Sequence, residues 1–337
     1  MKAYQLTAQT GPDAVQVCEL PDPSPGPGQV TVRVRATALN YRDLMIASGR
    51  YGGPVPLPLI PLSDGAGEIA AVGAGVTRWT PGDRVAGTFF QTWQTGPIRR
   101  EAFQAALGGS LNGMLAEIVA LSAEGVIAVP AHLSVEEAAT LPCAALTAWN
   151  ALVTSGKVAA DHTVLVLGTG GVSLFALQFA KLHGARVIVT SSSDAKLARA
   201  QALGADATIN YRTTPDWDQE VVRLTGQAGV EQIVEVGGTD TFPKSLRALA
   251  LGGTISVIGG VSGFGSQVPL TDILGKSALL RGIYVGNRDM FEAMNRAITR
   301  HQLKPVVDRV FPFAEAPAAY RYQESGAHFG KVVIRLP

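Results

Sequence analysis

Residues 164–173 read VLVLGTGGVS, an unbroken apolar run that ends in a turn with glycine at 168, 170 and 171. An apolar run of this length, bounded by a turn, is the pattern of a strand buried on both faces. Gly168 suits the tight turn out of the strand. Gly170 lets the backbone approach an anion, which then meets the N–H groups at the start of the next helix. Ser173 stands where a third glycine normally permits close helix–strand packing, so its hydroxymethyl group widens that crossing slightly and its hydroxyl can bond locally. The hexapeptide by itself is equally a packing turn. Its surroundings decide the reading.

Strands and helices alternate from this point onward. A helix from about 172 to 183 precedes VIVT (187–190), and another from about 194 to 203 precedes ATI (207–209). Helices near 215–226 and 241–250 then separate QIVEV (232–236) from TISVIG (254–259), and LLRGIYV (279–285) follows. Such alternation predicts an α/β fold with a doubly wound parallel sheet and right-handed crossovers. On the first strand of that series the glycine turn reads as a dinucleotide site, formed by Gly168, Gly170, Gly171, Val172 and Ser173. Gly237-Gly238 and Gly259-Gly260 end later strands on the carboxyl edge where such sheets bind ligands.

The end of the second strand distinguishes the nucleotides. An NAD site usually carries an Asp or Glu there for the ribose hydroxyls. This chain has Thr190-Ser191-Ser192-Ser193-Asp194-Ala195-Lys196. The hydroxyls of Ser191, Ser192 and Ser193, with Lys196 one turn in, suit the 2′-phosphate of NADP. The same residues also make an ordinary helix cap with a solvated lysine, and Asp194 lies close enough to serve as the ribose acid. Both readings stay open.

The first 128 residues have a different texture, with short strand-like runs and many turn residues. After PDPSPGPGQ (21–29), TVRVRATAL (31–39) alternates, with Val32, Val34, Ala36 and Ala38 on one face and Arg33, Arg35 and Thr37 on the other. GEIAAVGAGV (67–76), PGDRVAG (81–87) and GMLAEIVAL (113–121) read as further strands of a β-rich, barrel-like domain. SVEEAATLPCAALTAWNAL (134–152) has a serine cap and helical spacing, with Pro142 breaking it into two helices. The tail gives a helix over 291–298 and a last strand, KVVIRL (331–336), expected to return to the first domain. The expected domains are therefore 1–128, completed by 286–337, and 129–285.

Bulk properties set the outer limits. Of 337 residues, 47 % are hydrophobic and 16 % charged, enough apolar material for a substantial core. A net charge of +1 offers no field for nucleic acid or an anionic membrane. Two cysteines form no disulfide framework, and no signal peptide or membrane-spanning run is visible, so a soluble, cytoplasmic protein is expected.

Several motifs in order, GQVTVRVRATALNYRD (28–43), DGAGEIAAVGAGVTRWTPGDRV (64–85), GMLAEIV (113–119), VLVLGTGGVS and GKVVI (330–334), cover nearly the whole chain. In these the chain resembles the medium-chain dehydrogenase/reductase superfamily, most closely its zinc-free, quinone oxidoreductase-like and enoyl reductase-like branches. The resemblance implies a GroES-like β-rich catalytic domain and a Rossmann cofactor domain, with the active site in the cleft between them. It implies NADPH as cofactor and a quinone or an α,β-unsaturated carbonyl as the small-molecule substrate. The superfamily's zinc ligands are a Cys, a His-Glu pair and a second Cys or Asp. Leu39-Asn40-Tyr41-Arg42-Asp43 offers no thiolate, Leu62-Ser63-Asp64 no imidazole, and only Cys143 is kept. A catalytic zinc needs three protein ligands, so no metal is expected. Asp43, Asp64 and Cys143 are the residues from which a degenerate metal site would have to be built, and Cys143 reads better as a buried, inert thiol.

By the same resemblance Asn40 lies near nicotinamide and substrate, Tyr51 matches a proton-donating tyrosine, and Tyr41 is the alternative donor. Asn40 is equally a strand-end turn residue, and Tyr51 an aromatic wall beside a glycine–proline turn. Thr147 matches a position lining the nicotinamide and phosphates, and Tyr211 one near the adenosine phosphate. Phe89, Phe90 and Trp93, in the long loop 88–112, either shape a substrate pocket or pack that loop. His132, His162, His183, His301 and His328 show no ligand spacing. A homodimer formed through LLRGIYV is expected from the resemblance. Two other functions fit the same motifs: an NAD(P)-dependent alcohol or aldehyde dehydrogenase, and a non-catalytic NADPH-binding protein.

Overall fold

Gln29 opens the longest antiparallel strand directly after the proline-rich turn, and the first half of the chain is organised around it. The computed structural model describes residues 1–265, 267–268 and 270–337. Strands β1 (Lys2–Leu6) and β2 (Val15–Glu19) form a hairpin, and β3 (Gln29–Ala38) leads into helix α1 (Tyr41–Ala47). Strands β4 (Asp64–Val72), β5 (Arg84–Gly87), β6 (Ile118–Ser122) and β7 (Val126–Ala128) follow, β3 pairing antiparallel with both β4 and β6. Val32, Val34, Ala36 and Ala38 are buried as the alternation requires, and Arg33 is exposed. Thr37, expected on the outer face, is buried as well, because that end of β3 lies between two strands with a helix packed on it.

Helix α2 (Val135–Ala138) is capped by Ser134, whose hydroxyl accepts the Glu137 N–H. After a break at 139–140 the chain winds again with Pro142 in the first turn, where its missing N–H costs nothing. Two wide-turned segments, Leu141–Ala145 and Asn150–Ser155, flank α3 (Leu146–Trp149). Helical turns of this kind are frequent at functional positions, and Cys143 and Thr147 lie on this stretch.

The second half alternates as expected. Strands β8 (Thr163–Leu167), β9 (Arg186–Ser191), β10 (Ala207–Asn210), β11 (Val230–Glu235), β12 (Leu249–Val257) and β13 (Leu279–Gly282) form one parallel sheet in the order β10-β9-β8-β11-β12-β13. Helices α4 (Gly171–Leu182), α5 (Asp194–Ala202), α6 (Trp217–Leu224), α7 (Phe242–Ala248) and α8 (Leu270–Lys276) connect them. Val164, Leu165 and Val166 are fully buried, and α4 turns Leu174, Phe175, Leu177 and Phe179 into the core. Each such side chain contributes roughly 1.5–3 kcal/mol. Strand β12 starts earlier than expected: Leu249 already pairs with Val230, and a bulge at Gly252 (φ +74°) resets the register at Thr254.

The chain then adds α9 (Arg288–His301), β14 (Val307–Pro312), α10 (Ala316–Glu324) and β15 (Lys331–Arg335). Strand β15 pairs antiparallel with β3, which makes the last strand part of the first sheet. Two compact units result, 1–146 with 285–337, and 147–284. The first boundary falls well after residue 128, where the texture of the sequence changes. Helix α2 accounts for this: it packs on β3 and β4, and its Glu136 and Glu137 pair with Arg335 and Lys304. Among the described residues no helix is long and apolar enough to cross a membrane.

Candidate active site

The glycine turn has the geometry an anion needs. Gly168 sits at φ +73°, a conformation that side-chain-bearing residues avoid, and its N–H bonds back to Thr190 O at 2.9 Å. Gly170 is the N-cap of α4, and a Cβ built on it would meet nothing within 4 Å. Gly171 and Val172, half-buried, form the first turn of that helix, whose N–H groups have no partners within the helix itself. These residues fit a pyrophosphate. Ser173 makes the local bond open to it rather than facing a ligand: its hydroxyl donates to Leu167 O at 2.7 Å and is buried. It pins the helix to the strand end and has no proton left for a cofactor.

At the end of β9, Ser193 caps α5 by accepting the Lys196 N–H at 3.4 Å, and Ser191 is buried and accepts the Ser193 N–H at 3.4 Å. Ser192 is half-buried beside them. The helix-cap reading is therefore realised, and it leaves the hydroxyl of Ser193 able to donate outward. Asp194 does not stand alone. The Asn210 amide donates to its carboxylate at 2.7 Å, while Asn210 Oδ1 accepts the Arg212 N–H at 3.0 Å. Tyr211, exposed, joins this corner through its N–H to Ser191 O at 3.1 Å. Asn210 went unremarked in the sequence, although it is the last residue of a strand on the binding edge.

Glu235 was also missed. It ends β11, is fully buried, and accepts the N–H groups of Gly237 at 2.7 Å and Gly238 at 3.1 Å. It accepts the Thr241 hydroxyl at 2.6 Å and the Ser245 hydroxyl besides. The loop so held locks to the one after β12: Thr239 N–H reaches Gly263 O at 3.0 Å, and Ser262 N–H reaches Gly237 O at 2.8 Å. A Cβ on Gly238 (φ +94°) would lie 2.2 Å from Gly263 O, so only glycine fits this interlock. Gly259 and Gly260 belong to the second loop. Thr147 is buried at the start of the same unit.

In the first unit, sheet register assembles the remaining candidates. Ala38 on β3 faces Asp64 on β4 and Val333 on β15, so residues 38–40 run between Asp64 and Lys331. Lys331 is 2 % exposed. Its ammonium donates to Leu39 O at 2.6 Å and Asn40 Oδ1 at 2.5 Å, with Asp64 Oδ2 at 3.4 Å. Asp64 is fully buried and its other oxygen accepts the Ser63 hydroxyl at 3.0 Å. Asn40 is the N-cap of α1, its N–H donating to Asp43 Oδ2 at 2.7 Å. Tyr41, half-buried, opens that helix, and Tyr51 follows it with the Arg42 guanidinium 5.1 Å above its ring. The same guanidinium lies 4.6 Å from the Phe89 ring. Phe89, Phe90, Trp93 and Phe103 stack edge to face, so the aromatic residues of the long loop pack it together. His132 and His183 bond to backbone carbonyls, as structural residues do.

Two family models match the chain, an alcohol dehydrogenase GroES-like domain over residues 26–131 and a zinc-binding dehydrogenase over 171–300. A zinc-type alcohol dehydrogenase-like protein of Schizosaccharomyces pombe is 47 % identical, with 90 % of each chain covered. The chain belongs to the medium-chain dehydrogenase/reductase superfamily. A quinone oxidoreductase of Pseudomonas aeruginosa is 31 % identical across 99 % of each chain. A solved NAD-dependent alcohol dehydrogenase superposes with a TM-score of 0.91 at 38 % identity, each chain fully covered. The superfamily consists of oxidoreductases that use a nicotinamide dinucleotide, and the glycine turn of this member fits one.

Asp43, Asp64 and Cys143 are the residues from which a metal site would have to be built in this medium-chain dehydrogenase/reductase. Among the described residues no group of three His, Cys, Asp or Glu side chains could hold a metal ion. Asp64 already faces an ammonium. Cys143 as a residue is half-buried, but its thiol points inward, where burial pushes it above the usual range and the Asp64 carboxylate adds to the shift.

Proposed function

We propose that this chain is an NADPH-dependent, zinc-independent reductase that delivers hydride to a quinone or to the β-carbon of an α,β-unsaturated carbonyl. The observation that carries the reading is the buried Lys331 ammonium, bonded to Asn40 and facing Asp64. That positive charge lies against Asp64, one of the three residues on which a metal site would have to rest. The engagement of Asp194 by Asn210 supports NADPH over NADH, because it gives the nearest acid a protein partner and leaves serine hydroxyls for a 2′-phosphate.

Bound NADPH would supply the hydride from its nicotinamide ring. Negative charge then builds on the acceptor's carbonyl oxygen, where Asn40 Nδ2 is the donor suited to stabilise it. Tyr51, or Tyr41 at the start of α1, supplies the proton that completes the reduction, to the α-carbon of an enone or to the oxygen of a quinone. An alcohol dehydrogenase is the second reading, favoured by the likeness to the NAD-dependent enzyme.

The test is oxidation of NADPH and of NADH with menadione, cyclohexenone and a simple aldehyde, before and after chelation. The expected result is turnover of the first two acceptors, preference for NADPH, and no loss on chelation. Loss of activity to a chelator would sink zinc independence, and turnover of the aldehyde alone would favour the second reading. Tyr51→Phe retaining full enone reduction would move the proton donor to Tyr41.

A further inference from the structure

We propose that Lys331 is the positioning residue of Asn40, fixing and polarising its amide so that Nδ2 is presented to the carbonyl oxygen of the acceptor. This deepens the reductase reading above and rests on it.

The hydrogen bonds of Asn40 leave one group over. Its backbone N–H goes to Asp43 Oδ2 at 2.7 Å, and its backbone carbonyl accepts the Asp43 N–H at 3.0 Å. Its Oδ1 accepts from Lys331 at 2.5 Å. Nδ2 alone has no partner among the described residues, although it is buried. An amide donor left unpaired in the interior costs about 1–3 kcal/mol, so a residue kept in that state has a use for the donor. The amide cannot flip to hide it. Exchanging Oδ1 and Nδ2 would aim an NH2 group at an ammonium.

Lys331 itself has no proton to spare. Its three N–H bonds have three acceptors, Leu39 O, Asn40 Oδ1 and Asp64 Oδ2. It is therefore a residue that acts through Asn40 and not a proton donor. An ammonium bonded to an amide oxygen draws electron density from the amide and strengthens its N–H groups as donors, an effect enlarged in the low-dielectric interior. The chemistry that completes the set is a carbonyl oxygen acquiring negative charge. Register holds the arrangement: β15 pairs with β3 and enters from Gly330 (φ +92°), where a Cβ would lie 2.4 Å from Val306 O.

The experiment is a double-mutant cycle on the full chain with Asn40→Ala and Lys331→Met, reading kcat and KM for cyclohexenone and menadione and the Kd for NADPH. Because Met leaves Asp64 buried without its counter-charge, Lys331→Met/Asp64→Asn provides a neutral version that keeps the fold. Each single change is expected to lower kcat about tenfold or more, to leave the NADPH Kd within about twofold, and to add little to the other in the double variant. Strictly additive losses would overturn the proposal, as would a Lys331 variant that loses thermal stability but no turnover. A second readout needs no turnover. The 15N side-chain amide resonance of Asn40, identified by its loss in Asn40→Ala, should shift in the ligand-free Lys331 variants. An unmoved resonance overturns the positioning role. Absence of wild-type turnover with either acceptor would instead overturn the reductase reading.

Discussion

Asp43 shows at the scale of one residue how the site's charges bear on stability. Its carboxyl is raised from 3.8 to about 6, chiefly by burial and further by Asp64, against the opposing pull of Arg42, the Asn40 N–H and Lys331. A folded-state value above the unfolded one means that the native protein binds the extra proton between about pH 4 and 6. Stability from this group is therefore greatest below pH 4 and is lost as pH rises through 6, by up to a few kcal/mol at ~1.4 kcal/mol per unit. Asp43→Asn should keep the Asn40 N–H bond and flatten this dependence, measured by urea unfolding at pH 4.5 and 7. Equal differences for both proteins would show that the carboxyl ionises normally. The residues near Asp43 also mark what a sequence can reveal. Asn40, Tyr51 and the glycines stand in short motifs and could be picked out as candidates. Lys331 could not, because it reaches Asn40 across 291 positions and only strand register unites them. Ser173 was legible as a departure, yet its use became clear only from the bond to Leu167.

At the scale of elements the apolar runs and caps located nearly every strand and helix of the parallel sheet. What escaped was local geometry with no periodic signal: the early start of β12 around a bulge, and the clamp at the end of β11. Glu235 drew no comment within QIVEV, yet a buried acid that accepts four hydrogen bonds is the keystone of two loops. Its replacement makes a sharp prediction. Glu235→Ala leaves two N–H groups and two hydroxyls without their acceptor and should cost ~3 kcal/mol or more, with Glu235→Gln milder. The sheet order reverses between β8 and β11, so the two halves of a dinucleotide fall on opposite sides of that point. On the reading proposed above, the adenosine half would belong to β8–β10 and the nicotinamide half to the loops that Glu235 holds. NADPH affinity should therefore fall several-fold more than affinity for 2′,5′-ADP, as read by calorimetry. Equal losses for the two ligands would reduce Glu235 to a general folding residue.

At the scale of the whole molecule the open question is what covers β13. The alternating sequence identified this strand without telling an edge from an interior position, since LLRG is apolar enough for either. It is the last strand of the sheet, among the described residues it pairs with β12 alone, and all four of its residues are exposed. Leu270 and Leu274 of α8 are each 81 % exposed nearby in sequence, and Leu279 and Tyr284 are also open to solvent. Soluble proteins usually blunt such an edge with charge, proline or a covering element, and large exposed apolar clusters mark interfaces. Here Arg281 is the only charge on the strand. A second copy of the chain, pairing β13 with β13 about a two-fold axis, would satisfy the free backbone groups and bury the leucines at once. The full-length protein should therefore sediment as a dimer at micromolar concentration. Leu274→Lys with Leu279→Lys should shift it to monomer while leaving the Kd for 2′,5′-ADP unchanged, because the glycine turn lies on the opposite side of the sheet's switch point. A wild-type protein that sediments as a monomer, or a double variant that remains a dimer, would show that the edge is protected in some other way.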